Sequence, residues 1–136
     1  MILTGETANN FFGYSVSSAG DVNGDGYSDV IAGSYGYSSF TGRAYIYYGG
    51  AVMNNSADVI MSGENAGDDF GYSVSGAGDV NGDGYKDVLI GAFGNNSLTG
   101  SSYIYFGGSS MNNVSDITFY GEFPNNFGNS VSTAGD

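Results

Sequence analysis

The sequence predicts an all-β fold of β-propeller blades, each a four-stranded antiparallel sheet, with about two and a third blades in 136 residues. Three observations carry this. Residues 5–62 and 63–120 align without a gap at a period of 58, with 34 of the 58 positions identical. A period of tens of residues marks units that bury their faces only against neighbours. No stretch keeps a helical period, and glycine, present 25 times, interrupts every candidate helix. Finally, Tyr45-Ile46-Tyr47-Tyr48 and Tyr103-Ile104-Tyr105-Phe106 are apolar on both alternating faces, as strands are in a sheet covered on both sides.

Four strands are expected in each unit. In the first they are Tyr14–Ala19, Val30–Ser34, Ala44–Tyr48 and Asp58–Met61; in the second, Tyr72–Ala77, Val88–Phe93, Tyr103–Phe106 and Asp116–Tyr120. Ile2-Leu3-Thr4 reads as the tail of a preceding fourth strand, and Asn129–Ala134 as a lone following first strand. The Gly-Gly pairs at 49–50 and 107–108 end the third strands as turns. First strands rich in Ser, Ala and Gly suit the place where blades converge on an axis. Gly121-Glu122 opens a third, partial copy, residues 121–136, which runs through Phe127-Gly128 to Ala134-Gly135-Asp136.

Between the first and second strands of each unit stands Asp-Val-Asn-Gly-Asp-Gly-Tyr-x-Asp. Oxygen donors at alternate positions, glycine at the sixth and a carboxylate at the ninth suit a hard cation, which takes roughly 6–8 oxygens at ~2.3–2.6 Å. The expected Ca²⁺ ligands are the side chains of Asp21, Asn23, Asp25 and Asp29 with the Tyr27 carbonyl. Asp79, Asn81, Asp83, the Tyr85 carbonyl and Asp87 repeat the set. Gly26 and Gly84 allow the positive φ of a sharp turn. An EF-hand or dockerin loop would need an acidic twelfth residue and a helix; here the twelfth residues are Ala32 and Ile90, and strand-like runs follow. The competing reading is a metal-free Asn-Gly/Asp-Gly hairpin turn.

The order Phe-Gly, then Ala-Gly-Asp-Val-Asn-Gly-Asp-Gly-Tyr-x-Asp, then a Gly-Ala-Pro-like triplet resembles the FG-GAP repeat of integrin α-subunit propellers and their bacterial relatives. Phe12-Gly13, Phe70-Gly71 and Phe127-Gly128 match its first element; Gly33-Ser34-Tyr35 and Gly91-Ala92-Phe93 stand at its last, without the proline. The resemblance implies a propeller, usually seven-bladed, with calcium in hairpin loops on one rim. It also implies an extracellular or cell-surface setting.

Two and a fraction blades cannot close a ring, and open blades expose strand edges. A homo-oligomer is therefore expected: a trimer with six complete blades or a tetramer with eight. A start at Met and a stop on the first ligand of a third loop suggest an engineered or excised segment. The net charge of −12, with only Arg43 and Lys86 positive, argues against nucleic acid and anionic membranes. No apolar run is long enough to span a bilayer. With neither His nor Cys, the usual general base and thiol nucleophile are missing, and no enzyme is expected. Glu6, Glu64 and Glu122 recur at one repeat position and read as contacts between blades. Three functions compete: a calcium-binding scaffold presenting loops to a protein partner, a lectin, or a self-assembling fragment without its own ligand. The lectin would use Tyr35, Tyr37 and Phe40, with the equivalent Phe93, Asn95 and Asn96, unless these aromatics simply pack between blades.

Overall fold

The computed structural model describes residues 1–95 and 99–135. Two four-stranded sheets are present, both antiparallel throughout. The first takes β1 (Val16–Gly20), β2 (Asp29–Ser34), β3 (Arg43–Tyr47) and β4 (Val59–Ser62) in chain order. The second takes β5 (Ser73–Gly78), β6 (Asp87–Ala92), β7 (Ser101–Tyr105) and β8 (Ile117–Tyr120) in the same order. These are two propeller blades, and their registers repeat as the sequence does: Ile31 pairs with Ile46, and Leu89 with Ile104. Both first strands bulge one residue before the candidate metal loop, between Ser18 and Gly20 and between Gly76 and Gly78. A bulge sharpens the local twist and re-aims the chain. Here it delivers Asp21 and Asp79 to the rim.

The core lies between the blades rather than inside either one. Val22, Ile31, Ile46 and Met61 of the first blade are buried in one cluster with Phe70, Val74, Val88 and Ile90 of the second. The small residues of the first strands serve this contact. A Cβ added to Gly76 would stand 2.8 Å from the Ser18 carbonyl oxygen, and the Val74 N–H donates to Ser15 Oγ at 3.0 Å. A second, smaller cluster of Ala32, Tyr45 and Tyr47 covers the outer face of the first blade, with Leu3, Phe12 and Met53 against it.

Each blade is tied off by the opening residues of the following repeat. Phe70 forms a parallel bridge to Gly42, and Phe127 forms one to Gly100. The Phe70 ring then crosses to its own blade, 5.4 Å from Tyr103 and 6.3 Å from Tyr105 between centroids.

Three sequence expectations are corrected. Ile2-Leu3-Thr4 and Asn129–Ala134 are not strands. Each would need a strand of a further blade as its ladder partner, and backbone groups without one stay irregular. The third concerns Tyr37–Phe40, between β2 and β3, where the chain makes one helical turn that no pattern announced. Ser38, Ser39 and Phe40 have φ of 48°, 58° and 65°, so the turn is left-handed. It is closed by Thr41 N–H to Ser38 O and Gly42 N–H to Tyr37 O.

Candidate metal loops

The two loops superpose bond for bond. Asp21 follows the bulge, and its carboxylate gathers the loop's own N–H groups: Oδ1 accepts from Gly24 at 2.7 Å and Asp25 at 3.0 Å, and Oδ2 from Gly26 at 2.9 Å. Asn23 Oδ1 accepts from Asp25 N–H at 3.0 Å, and Asp25 Oδ1 from Tyr27 N–H at 2.9 Å. Asp79, Asn81 and Asp83 make the same bonds to Gly82, Asp83, Gly84 and Tyr85, at 2.7 to 3.1 Å. Gly24 and Gly26 sit at φ 79° and 89°, Gly82 and Gly84 at 77° and 95°, so the turn requires glycine at both places. Gly24 carries a second demand: a Cβ there would lie 2.6 Å from the Tyr85 ring of the neighbouring loop. The rims touch again where Lys86 N–H donates to Asp21 O at 3.0 Å.

The ninth-position carboxylates differ from the other three. Asp29 and Asp87 are buried at the first residue of β2 and β6. Asp29 Oδ2 accepts from Val22 N–H and Oδ1 from Gly49 N–H, both at 2.8 Å. Asp87 bonds Val80 and Gly107 N–H at 2.7 and 2.9 Å. Each thus clamps the metal loop to the Gly-Gly turn after the third strand. Burial raises the Asp29 carboxyl above its usual range, the Gly49 and Val22 N–H groups pull it back, and the Asp25 and Asp21 charges push it up again. Asp87 is raised from the same kinds of cause. Sequence reasoning saw the ninth position as a ligand and missed its role as a clamp; the signal was the Gly-Gly at a constant 20 residues beyond it.

The donor set fits a hard cation in kind: three carboxylates and an amide oxygen in nine residues, with carboxylates that each keep at least one lone pair beyond those their hydrogen bonds use. The fit is not complete in geometry. Among the described residues no three acidic side chains are gathered tightly enough to hold an ion in this conformation. The side-chain oxygens face the loop's own N–H groups, and Asn23 Nδ2 donates to Asp25 Oδ2 at 3.1 Å.

The aromatic residues considered for sugar binding have other tasks. Tyr35 lies in a ladder with Phe11, Tyr14 and Tyr72, at 4.9, 4.8 and 5.1 Å. The Tyr37 ring carries the Arg43 guanidinium 3.7 Å above it. Phe40 stands 6.1 Å from Tyr35, Phe93 packs on Tyr72 at 4.5 Å, and Asn95 is buried, accepting from Ser101 Oγ at 2.9 Å. Asn96 lies outside the described residues. Glu6, read from the sequence as a contact between blades, bonds within its own repeat. It accepts from Arg43 Nη1 at 2.9 and 3.0 Å and from the Tyr45 hydroxyl at 3.2 Å. Burial, then the Glu6 charge, pushes that hydroxyl up to about 12, so it remains a donor.

A family model described as "FG-GAP repeat" matches residues 12–47 and 70–106, in each case from the phenylalanine before the first strand to the end of the third. The chain belongs to the FG-GAP repeat family. Each match contains one candidate metal loop and its clamping aspartate and leaves out the fourth strand, Val59–Ser62 or Ile117–Tyr120, in which the two copies share no residue. Among known proteins the FG-GAP repeats here are similar to integrin α chains. Integrin alpha-5 of Xenopus laevis is 35% identical over 114 residues, 77% of this chain and 11% of the relative. Integrin alpha-IIb of Homo sapiens is 33% identical over 101 residues, 72% of this chain and 10% of the relative. Integrin alpha-V of Gallus gallus is 39% identical over 89 residues, covering 61% and 9%. The chain therefore spans about a tenth of the length of the relatives it matches. No helix among the described residues is long and apolar enough to cross a membrane.

Proposed function

We propose that this chain is a calcium-binding propeller segment, 1–136, that serves as a structural scaffold for protein interaction or adhesion outside the cell, with no catalytic role. The observation that carries it is the paired loop: two identical donor sets on one rim, each wrapped by two left-handed glycines and joined to its blade by a buried carboxylate. Asp21, Asn23, Asp25, Asp29 and the Tyr27 carbonyl take one Ca²⁺, and Asp79, Asn81, Asp83, Asp87 and the Tyr85 carbonyl the other. The ion draws the side-chain oxygens together and neutralises carboxylates whose charges add to the burial that raises Asp29 and Asp87. The extracellular setting follows from the integrin likeness and from millimolar Ca²⁺ filling even weak sites. Copies of the chain associate through their open blade faces, as a trimer or tetramer. No observation favours the sugar-binding reading, since Tyr37 and Asn95 are already engaged within the fold.

Thermal unfolding followed by circular dichroism, in Ca²⁺ and in chelator, tests the metal reading. Two sites at roughly a hundredfold excess over Kd would each add about 2.7 kcal/mol. Asp25→Ala, whose side chain is exposed and bonds only within the loop, is expected to remove close to half of the calcium increment and to change little in chelator. An equal loss in both conditions would show that the loop is a plain turn.

A further inference from the structure

We propose that the recess at the junction of the two blades, walled by Phe70, Tyr103 and Tyr105 with Glu64 at its edge, binds a small quaternary ammonium ion of the choline type. The site is separate from the metal loops and from the reading given to them.

The recess holds about 210 Å³, far more than the ~10–15 Å³ that one water needs. Tyr103 and Tyr105 stand two apart on β7 and so share one face of the sheet. The Phe70 ring meets them at 59° and 82°, with centroids 5.4 and 6.3 Å away. Rings set at such angles form sides of a box instead of a stack. Asn113 and Ser115, from the loop between β7 and β8, add to the lining, and Asn113 Nδ2 ties that loop to Ile60 O of the first blade at 3.3 Å. Tyr105 is 4% exposed, yet among the described residues its hydroxyl has no hydrogen-bond partner. Burial, then the neighbouring Tyr103 and Glu64, raises that hydroxyl, so it stays neutral. A buried phenol ordinarily has a partner, and here the O–H is free for the hydroxyl oxygen of a guest.

The charge of the guest is read from the first repeat. There Glu6, the counterpart of Glu64, accepts from the Arg43 guanidinium and from the Tyr45 hydroxyl, and Arg43 lies over the Tyr37 ring. A cation held by this glutamate and an aromatic ring is thus already part of the repeat's chemistry. In the second repeat Ser101 replaces Arg43 and Asn95 replaces Tyr37. Among the described residues the Glu64 carboxylate accepts no hydrogen bond and makes no ion pair. The other basic side chain, Lys86, lies against Gly20 at the rim of the metal loops. An uncompensated carboxylate beside three aromatic rings, in a chain of net charge −12, selects a cation.

The rings decide which cation. They offer π faces and no lone pairs for a metal, and an ion that enters must leave its water behind. Na⁺ and Ca²⁺ hold water tightly. A quaternary ammonium spreads its charge over methyl groups, sheds water easily and suits an aromatic box. Phosphocholine and betaine carry an anionic group that Glu64 repels, so choline is favoured over both. A following blade does not close the entrance: with the second blade in place, Asn55 and Ser56 of the first, the counterparts of Asn113 and Val114, remain exposed.

The test is isothermal titration of choline chloride into the full chain in Ca²⁺, with sodium chloride of equal ionic strength as the blank. The wild type is expected to bind one choline per chain. Glu64→Gln, at an exposed residue without a side-chain partner, is expected to weaken binding by about tenfold, the scale of one partly screened ion contact. Ser101→Arg restores the cation of the first repeat, and the wider cavity of about 780 Å³ beside Glu64 has room for its side chain. It is expected to abolish choline binding while the circular dichroism spectrum stays native; should it fail to fold, Glu64→Gln decides alone. Phosphocholine is expected to bind about tenfold more weakly than choline. A wild type without saturable choline binding overturns the site. Choline binding that both variants leave unchanged puts the cation elsewhere, as on the ladder of Tyr14, Tyr35 and Tyr72, and overturns it equally. Phosphocholine binding as tightly as choline overturns the part given to Glu64.

Discussion

Asp29→Ala is expected to cost roughly 2–4 kcal/mol of folding stability in the absence of calcium, the scale of leaving two N–H groups without an acceptor. Its carboxylate is almost wholly buried and accepts from Val22 and Gly49, so removing it strands one donor in the core and another at the turn after β3. Asp29→Asn keeps one acceptor oxygen and should cost less. Asp87→Ala should behave alike, because Val80 and Gly107 stand in the same relation to it. Urea unfolding in chelator reads the effect directly. The comparison that matters is with Asp25→Ala, which occupies the same loop and carries the same charge. If the two variants lose the same stability without metal, then Asp29 is not a clamp and its burial has no structural return.

Phe70→Ala is the second large effect, about 3–5 kcal/mol, as for other fully buried aromatic residues. The ring lies between blades, against Tyr103 and Tyr105, inside the largest apolar cluster. Phe12 and Phe127 provide internal controls with the same local sequence. Phe12→Ala should cost appreciably less, since its ring is half-buried, and Phe127→Ala under about 1 kcal/mol, measured where the chain is monomeric. A flat result across the three would mean that the blades hold together without the wedge.

Much of this architecture could be read from residues. Strands expected at Val30–Ser34 and Ala44–Tyr48 appear at Asp29–Ser34 and Arg43–Tyr47, because apolar runs bounded by glycine leave little latitude. The candidate metal loops were legible as donor sets, since spacing alone places Asp21, Asn23 and Asp25 on one turn. Their hydrogen bonds were not, because a carboxylate's choice between an ion and an N–H depends on which groups the fold brings near. Gly49 reaches Asp29 only through pairing of β2 with β3. The failures at Ile2–Thr4 and Asn129–Ala134 have one cause: a strand's identity is a property of a pair, and the sequence shows only one member. The left-handed turn at Tyr37–Phe40 escaped for a different reason. Ser38, Ser39 and Phe40 have no special liking for positive φ, and the turn is held by the Arg43–Tyr37 contact and the Thr41 and Gly42 bonds. The Glu6–Arg43 pair was hidden too, because Arg43 becomes Ser101 in the second copy and breaks the repeat at that place.

The bridges Gly42–Phe70 and Gly100–Phe127 set the repeat of the sequence out of step with the blade of the fold. A blade is not finished when its own fourth strand is made; it waits for residues that belong to the next repeat. On a ribosome this imposes an order, since the first blade is locked only after Phe70 has left the exit tunnel. The residues that begin the second blade, from Ser73, follow directly behind it. It also bears on how such chains lengthen. A gene segment of 58 codons, cut at any phase and inserted in frame, brings with it one lock and one slot, so every added unit arrives with its own means of attachment.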